Sequence, residues 1–330
     1  MKISFVSEID FANVLTEYSF CLNKHSDIKC KSVCLNKHPF NYNIQHDYDL
    51  FSCTNKEKIE AKDFIEKSDI IIFGEENKGN YNILNQIKNI LNIDLLRSNK
   101  KLIIWHPGSN YRSEYNFYNN HPLRNKIYKH FYGIDLYRLS NKELNDLPIH
   151  AYQYVDFNYN KFIEKFKLKL KNKPWVILHI PSKTQTKGTN IINKVINRLD
   201  LDPNKFQYKV LTNIPHSVSI NEKEKSLFYI DQFFPQGCGG YGVSTLESLF
   251  SSNLTFSTIN NITDSIFKLT GKYECPVVHL GNNEEELFSI LNHFFNNTTN
   301  NELIKYMEGI GQWLEQYYSI DSIIKYFKSL

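Results

Sequence analysis

Short apolar runs alternate with amphipathic stretches along the whole chain. Residues 3–6 read as a short strand, and an amphipathic stretch opens at Asp10 and continues to about Lys24. Residues 28–35 alternate as a second strand, and residues 57–67 place Ala61, Phe64 and Ile65 on one helical face. The run 69–73 (Asp-Ile-Ile-Ile-Phe) is continuously apolar, as a strand covered on both faces requires. A helix follows over 81–96 and another buried strand over 101–105; a helix over 123–132 and short strands near Ile134 and Ile149 complete this half.

The rhythm then restarts. A lysine-rich segment over 160–173, carrying Lys161, Lys165, Lys167, Lys169, Lys171 and Lys173, ends at Pro174. Strands are predicted over 175–179, 206–211, 227–233, 254–259 and 277–280, and helices over 188–199, 241–250, 284–295, 302–318 and 321–328. Strands alternating with helices imply βαβ units and open parallel sheets. The fold class is therefore α/β, with two consecutive Rossmann-like domains, 1–157 and 158–330, facing across a cleft at the carboxyl ends of their strands. The terminal segment 312–330 is expected to pack back on the first domain.

Composition adds bounds. A chain of 330 residues suits two domains at about 150 residues each. A hydrophobic fraction of 41% excludes a disordered chain, and a net charge of +4 does not argue for nucleic acid, so none is expected as a partner. Tyr and Phe number 21 and 23, an excess that codon bias in an AT-rich genome explains. No secretory signal and no membrane-spanning run is visible, and the six cysteines lack CxxC pairing, so reduced thiols in a cytoplasm are expected. The 160–173 lysines are a solvated face or a peripheral contact with anionic lipid at the inner membrane face.

Two loops carry chemistry. The first, His179-Ile-Pro-Ser182-Lys-Thr-Gln-Thr-Lys187-Gly188-Thr189, leaves a strand and enters a helix. Gly188 allows close backbone approach and Lys187 adds a compact charge beside helix-start amides, a setting for phosphate or pyrophosphate; a polar connection is the alternative. The second lies between the strand over 227–233 and the helix over 241–250. It concentrates Gly237, Gly239, Gly240 and Gly242, four of only 13 glycines, ahead of Glu247. A backbone cradle for a sugar diphosphate and a ribose-binding carboxylate fit it; a tight turn and an exposed glutamate are the alternative.

Together these segments resemble the donor domain of GT-B glycosyltransferases, in particular the large retaining family (glycosyltransferase group 1) of bacterial polysaccharide enzymes. The likeness rests on His179, Pro181, Ser182 and Lys187-Gly188-Thr189, then on Asp231, Gln232, Gly240, Tyr241, Gly242, Leu246 and Glu247, and it covers residues 175–260. It implies that Lys187 neutralises the donor diphosphate and that amides at Gly188 and around Gly242, Val243 and Ser244 bind its oxygens. Ser182 and Thr189 complete that side, Glu247 binds the ribose, and Gly239, Gly240 and Tyr241 face the sugar. One departure is Gly239, where the family often has its first glutamate.

On the acceptor side, Glu75, His106 and Arg112 follow predicted strands, and His106 joins Lys187 and Glu247 as the candidate catalytic set. The expected activity is transfer of a sugar from a nucleotide diphosphate sugar to a hydroxyl of a glycan or lipid-linked acceptor. Retention is implied by the resemblance, and no metal or other cofactor is expected, since no Asp-x-Asp motif ends a strand. The alternatives are a GT-B-fold nucleotide-sugar 2-epimerase, using carboxylates and histidine to move a proton, and a non-catalytic sugar-nucleotide-binding module.

Overall fold

The computed structural model describes residues 1–36, 45–74, 82–106, 109–120, 124–133, 140, 146–149, 156–235, 242–259, 262–272 and 274–330, with backbone only at 11, 82, 109–114, 146–149, 264 and 269. The chain divides into two compact units, Met1–Tyr154 and Val155–Leu330.

The first unit runs β1 (Lys2–Ser7), α1 (Val14–His25), β2 (Lys29–Cys34), β3 (Tyr48–Asp49), α2 (Asn55–Glu66), β4 (Ile70–Gly74), α3 (Asn82–Leu91), β5 (Lys101–His106), α4 (Ser109–Asn120), β6 (Lys129–Gly133) and β7 (Asp146–Ile149). Its seven strands stand in the order β3-β2-β1-β4-β5-β6-β7, every ladder parallel. Helices α2 and α3 lay Ala61, Ile65, Ile83 and Ile87 over Val6, Ile71, Phe73 and Ile104 to form one core. A capping box fixes the start of α2: Thr54 accepts from the Glu57 amide, and Glu57 accepts from the Thr54 amide.

Within 123–132, predicted as a helix, the described residues form instead a 3₁₀ turn at Arg124–Lys126 and the start of strand β6. Aromatic and β-compatible residues win here: Phe131 and Tyr132 pair beside Trp105 and His106 of β5. The strand expected near Ile134 lies outside the described residues, and α4 has no counterpart among the elements predicted from the sequence.

The second unit runs α5 (Tyr159–Lys171), β8 (Trp175–His179), α6 (Thr189–Arg198), β9 (Phe206–Val210), α7 (His216–Lys225), β10 (Phe228–Gln232), α8 (Val243–Phe250), β11 (Leu254–Ser257), α9 (Thr263–Thr270), β12 (Val278–His279), α10 (Glu284–Asn292), α11 (Asn300–Tyr318) and α12 (Ile320–Lys328). Its strands are all parallel, in the order β12-β11-β10-β8-β9. Helices α11 and α12 group with this unit, and α11 packs on α5, where Gly311 admits the Tyr159 ring: a Cβ there would sit 2.8 Å from it.

The lysine-rich segment is α5, and it is not one solvated face. Lys165 pairs with Glu224, and the Lys169 ammonium is buried among the carbonyls of Lys223, Ser251 and Ser252 and the Asn253 Oδ1. Cys21, Cys30, Cys34, Cys53 and Cys275 are free thiols, and Cys238 lies outside the described residues. Among the described residues no helix is long and apolar enough to cross a membrane.

Candidate functional site

The carboxyl ends of β8 and β10 meet the starts of α6 and α8 in the second unit. His179, the last residue of β8, is fully buried, with Nδ1 2.8 Å from the Ile230 carbonyl and Nε2 2.9 Å from Thr189 Oγ1. Burial lowers its pKa, so the ring is a neutral tie between two strands and the start of α6. Thr189 is thus committed to His179, whereas Ser182 is exposed on the loop.

Gly188 caps α6 at φ +68°, and a Cβ there would lie 2.0 Å from the Phe233 carbonyl oxygen. Only glycine fits, since a left-handed backbone and a carbonyl contact coincide. The amides of Lys187, Gly188 and Thr189 donate to the carbonyls of Lys183, Gln185 and Thr184, so the turn is closed on itself in this state. The Phe233 amide donates to the Lys187 carbonyl at 3.1 Å, joining this loop to the segment after β10.

Lys187 extends its ammonium to Asp231 Oδ1 at 2.9 Å, and the other carboxylate oxygen accepts from Thr245 Oγ1 at 3.0 Å. Asp231 sits where the β10–β11 register slips between Ile230 and Gln232, a bulge that re-aims its side chain. Burial alone would raise its pKa, but the Lys187 charge and hydrogen bond, the Thr245 hydroxyl and Lys223 outweigh that and hold it below the usual carboxylate range.

Helix α8 presents polar groups inward from its first turns. Among the described residues, no partner accepts from the amides of Val243 and Ser244, and Gly242 caps them in an extended conformation. Glu247 is buried, with Oε1 2.7 Å from His216 Nε2 and Oε2 2.5 Å from Lys223 Nζ. Desolvation pushes its pKa up, while Lys223 and His216 more than offset this, leaving the carboxyl below its ordinary value. Lys223 also donates to Ser244 Oγ at 2.9 Å, and that oxygen lies 2.7 Å from the Tyr229 hydroxyl.

Lys187, Ser244 and Glu247 therefore come together at one end of the sheet. Asp231, His216, Lys223 and Tyr229 complete the constellation. Of these four, only Asp231 stands out in the sequence, and only as part of a motif. Gly239, Gly240 and Tyr241 lie outside the described residues.

In the first unit, His106 ends β5 with 1% of its surface exposed. Its Nε2 is 3.0 Å from His130 Nδ1, and its ring stacks on Tyr132 at 4.9 Å between centroids. Burial, then His130 and Arg124, hold His106 well below the ordinary histidine pKa, so it is a neutral, enclosed imidazole. Arg112 lies on α4, its side chain not described, and Glu75 is outside the described residues.

Two carboxylates absent from the sequence-based candidates follow β1. Glu8 accepts from Gln86 Nε2 at 3.0 Å through Oε1, and its buried Oε2 has no partner among the described residues. Asp10 accepts from the Leu15 and Thr16 amides and thereby caps α1, after consecutive left-handed residues Ala12 and Asn13. The signal is present in the sequence as Glu-Ile-Asp directly after an apolar strand.

No protein-family model matches the chain, and no curated protein matches it. Solved structures do. An α-glucosyltransferase in complex with UDP-glucose and DNA containing an abasic site aligns with a TM-score of 0.63 at 10% identity, covering 100% of this chain and 98% of that one. An α-glucosyltransferase with UDP and a 13-mer DNA containing an HMU base gives 0.63 at 11% identity, with 100% and 98% covered, and one with UDP gives 0.62 at 10%, with 100% and 99%. The fold is that of GT-B enzymes: two parallel-sheet α/β domains with interleaved helices. The same likeness overturns the exclusion of nucleic acid drawn from charge. Proteins of this fold are seen bound to DNA, so a mild net charge does not exclude it.

Proposed function

We propose that the protein transfers a sugar from a nucleotide diphosphate sugar to a hydroxyl acceptor. The observation that carries the reading is the meeting of the Lys187 ammonium, the α8 amino end and the Glu247 carboxylate at the strand ends of one unit in a GT-B fold. In this reading the anomeric C–O bond to the diphosphate breaks and a new one to the acceptor oxygen forms, the acceptor's proton passing to the departing diphosphate. The charge that develops on the leaving oxygen is met by Lys187 and by the amides of Val243 and Ser244. Glu247 accepts hydrogen bonds from the ribose hydroxyls. Lys187 supplies the positive charge that a metal supplies elsewhere, so we take the reaction as metal-independent; retention follows the sequence resemblance.

The acceptor is a hydroxyl compound met by the first unit. Assays should include DNA bearing an HMU base beside glycans, because the α-glucosyltransferases of similar fold are seen with such DNA.

Lys187→Ala alone would leave Asp231 buried without its counterion. The informative variant is therefore Lys187→Met with Asp231→Asn, which removes both charges. Its melting temperature should stay near wild type while transfer from the best nucleotide sugar falls about 100-fold or more. Transfer at the wild-type rate by that double variant rejects the assignment. The donor itself is found by thermal shift against UDP-, GDP- and ADP-sugars, since a bound donor stabilises the native state.

A further inference from the structure

We infer that Lys223 is the positioning residue of the nucleotide site: its buried ammonium locks the Glu247 carboxylate to the first turn of α8, making α7 part of the ribose contact. The inference rests on the reading of Glu247 given above.

Lys223 has 0% of its surface exposed. Its Nζ lies 2.5 Å from Glu247 Oε2, 2.9 Å from Ser244 Oγ and 3.2 Å from the Ser244 carbonyl, and it sits over the Tyr229 ring at 5.1 Å. An ammonium has three protons, and these contacts use them. Packing alone would accept a methionine of similar length, and burying an ammonium is strongly unfavourable unless it is paired, so the charge serves Glu247 rather than the core.

The main chain of the same residue completes the lock. The Lys223 carbonyl accepts from Lys169 Nζ at 3.3 Å, and that ammonium also reaches the Ser251 carbonyl at 2.5 Å and Asn253 Oδ1 at 2.6 Å. Helix α8 is thus held at its start by the Lys223 side chain and at its end through Lys169. Glu247 Oε2 is engaged in the interior. Oε1 faces His216, whose side chain is 26% exposed, and in this reading is the oxygen left for a ribose hydroxyl. Among the described residues, the charged and titratable groups around Glu247 are Lys223 and His216 from α7 and Tyr229 from β10, and Lys223 also acts on Asp231. Without Lys223, burial favours the protonated acid, a poorer acceptor for hydroxyl donors.

The test is calorimetric binding of UDP and of inorganic pyrophosphate to wild type, Lys223→Met, Lys223→Arg, Glu247→Gln and the Lys223→Met/Glu247→Gln pair. In Lys223→Met, UDP should bind about tenfold or more weakly at neutral pH, and more weakly still as pH falls toward about 5.5. Its pyrophosphate affinity should fall much less than its UDP affinity, Lys223→Arg should recover most UDP affinity, and the pair should bind UDP no more weakly than Glu247→Gln alone. Equal losses for UDP and pyrophosphate, or a loss that adds to that of Glu247→Gln, overturn the inference. If Lys223→Met does not fold, the pair and Lys223→Arg discriminate in its place, because neither leaves a lone buried charge. UDP binding untouched by Glu247→Gln rejects the ribose assignment and this inference with it; a Glu247→Gln loss absent from Lys223→Met rejects the inference alone.

Discussion

Gly188 holds a conformation and a space that no other residue satisfies, with φ at +68° and the Phe233 carbonyl where a Cβ would be. Gly188→Ala should therefore lower unfolding free energy by at least about 2 kcal/mol, from the left-handed backbone plus the displaced carbonyl. Urea denaturation checks this, with Gly242→Ala as the control: a Cβ there meets nothing within 4 Å among the described residues, and the loss should stay below about 1 kcal/mol. Gly188 and Lys187 are legible in the sequence because a lysine–glycine pair between a strand and a helix has few uses. Lys223 is not. In the string Asn-Glu-Lys-Glu-Lys it looks like any solvated helix lysine, and only its position on α7 shows that it points at Glu247. His106 shows the reverse failure, since a histidine at a strand end looks available, yet His130 and Tyr132 close over it.

At the scale of elements, buried strands are plain in the sequence and polar helices are not. Strand β4 is a continuous apolar run in sequence and is buried along its whole length. Helix α7 has too little apolar periodicity to be predicted, although it supplies His216 and Lys223; its polar face is turned inward toward α8. That pairing of α7 with α8 has a pH signature. Asp231 and Glu247 have folded pKa values below their ordinary 3.8 and 4.5, so they stabilise the fold fully above about pH 4.5. This contribution is lost as pH falls through the depressed folded values. Asp10 in the first unit works the opposite way, because burial raises its pKa above 3.8 and protonation relieves it. Scanning calorimetry from about pH 7 to 3 should show the transition involving the second unit falling in acid. The Lys223→Met/Glu247→Gln variant should show a shallower fall; an acid slope equal to wild type would remove this pair as its source.

At the scale of the molecule, the restart of the strand–helix rhythm after the lysine-rich segment announces two α/β units, and the chain divides at Tyr154 and Val155. Net charge is the weaker guide, because +4 averages over a chain whose lysines are partly consumed internally, as Lys165 and Lys169 are. The second unit has its own sheet and core, and Lys187, Asp231, Lys223 and Glu247 all lie within it. Residues 155–330 expressed alone should melt cooperatively by circular dichroism and bind UDP; a fragment that folds but does not bind would move the nucleotide site elsewhere. The parallel ladders of both sheets carry a further consequence, one of time. Parallel neighbours cannot be joined by a tight turn, so β1 must wait for β4, paired as Ile3 with Ile70, before the middle of its sheet exists. Such non-local pairing slows folding. During synthesis β1 therefore leaves the ribosome well before β4 and stands without that neighbour until the intervening chain has been made.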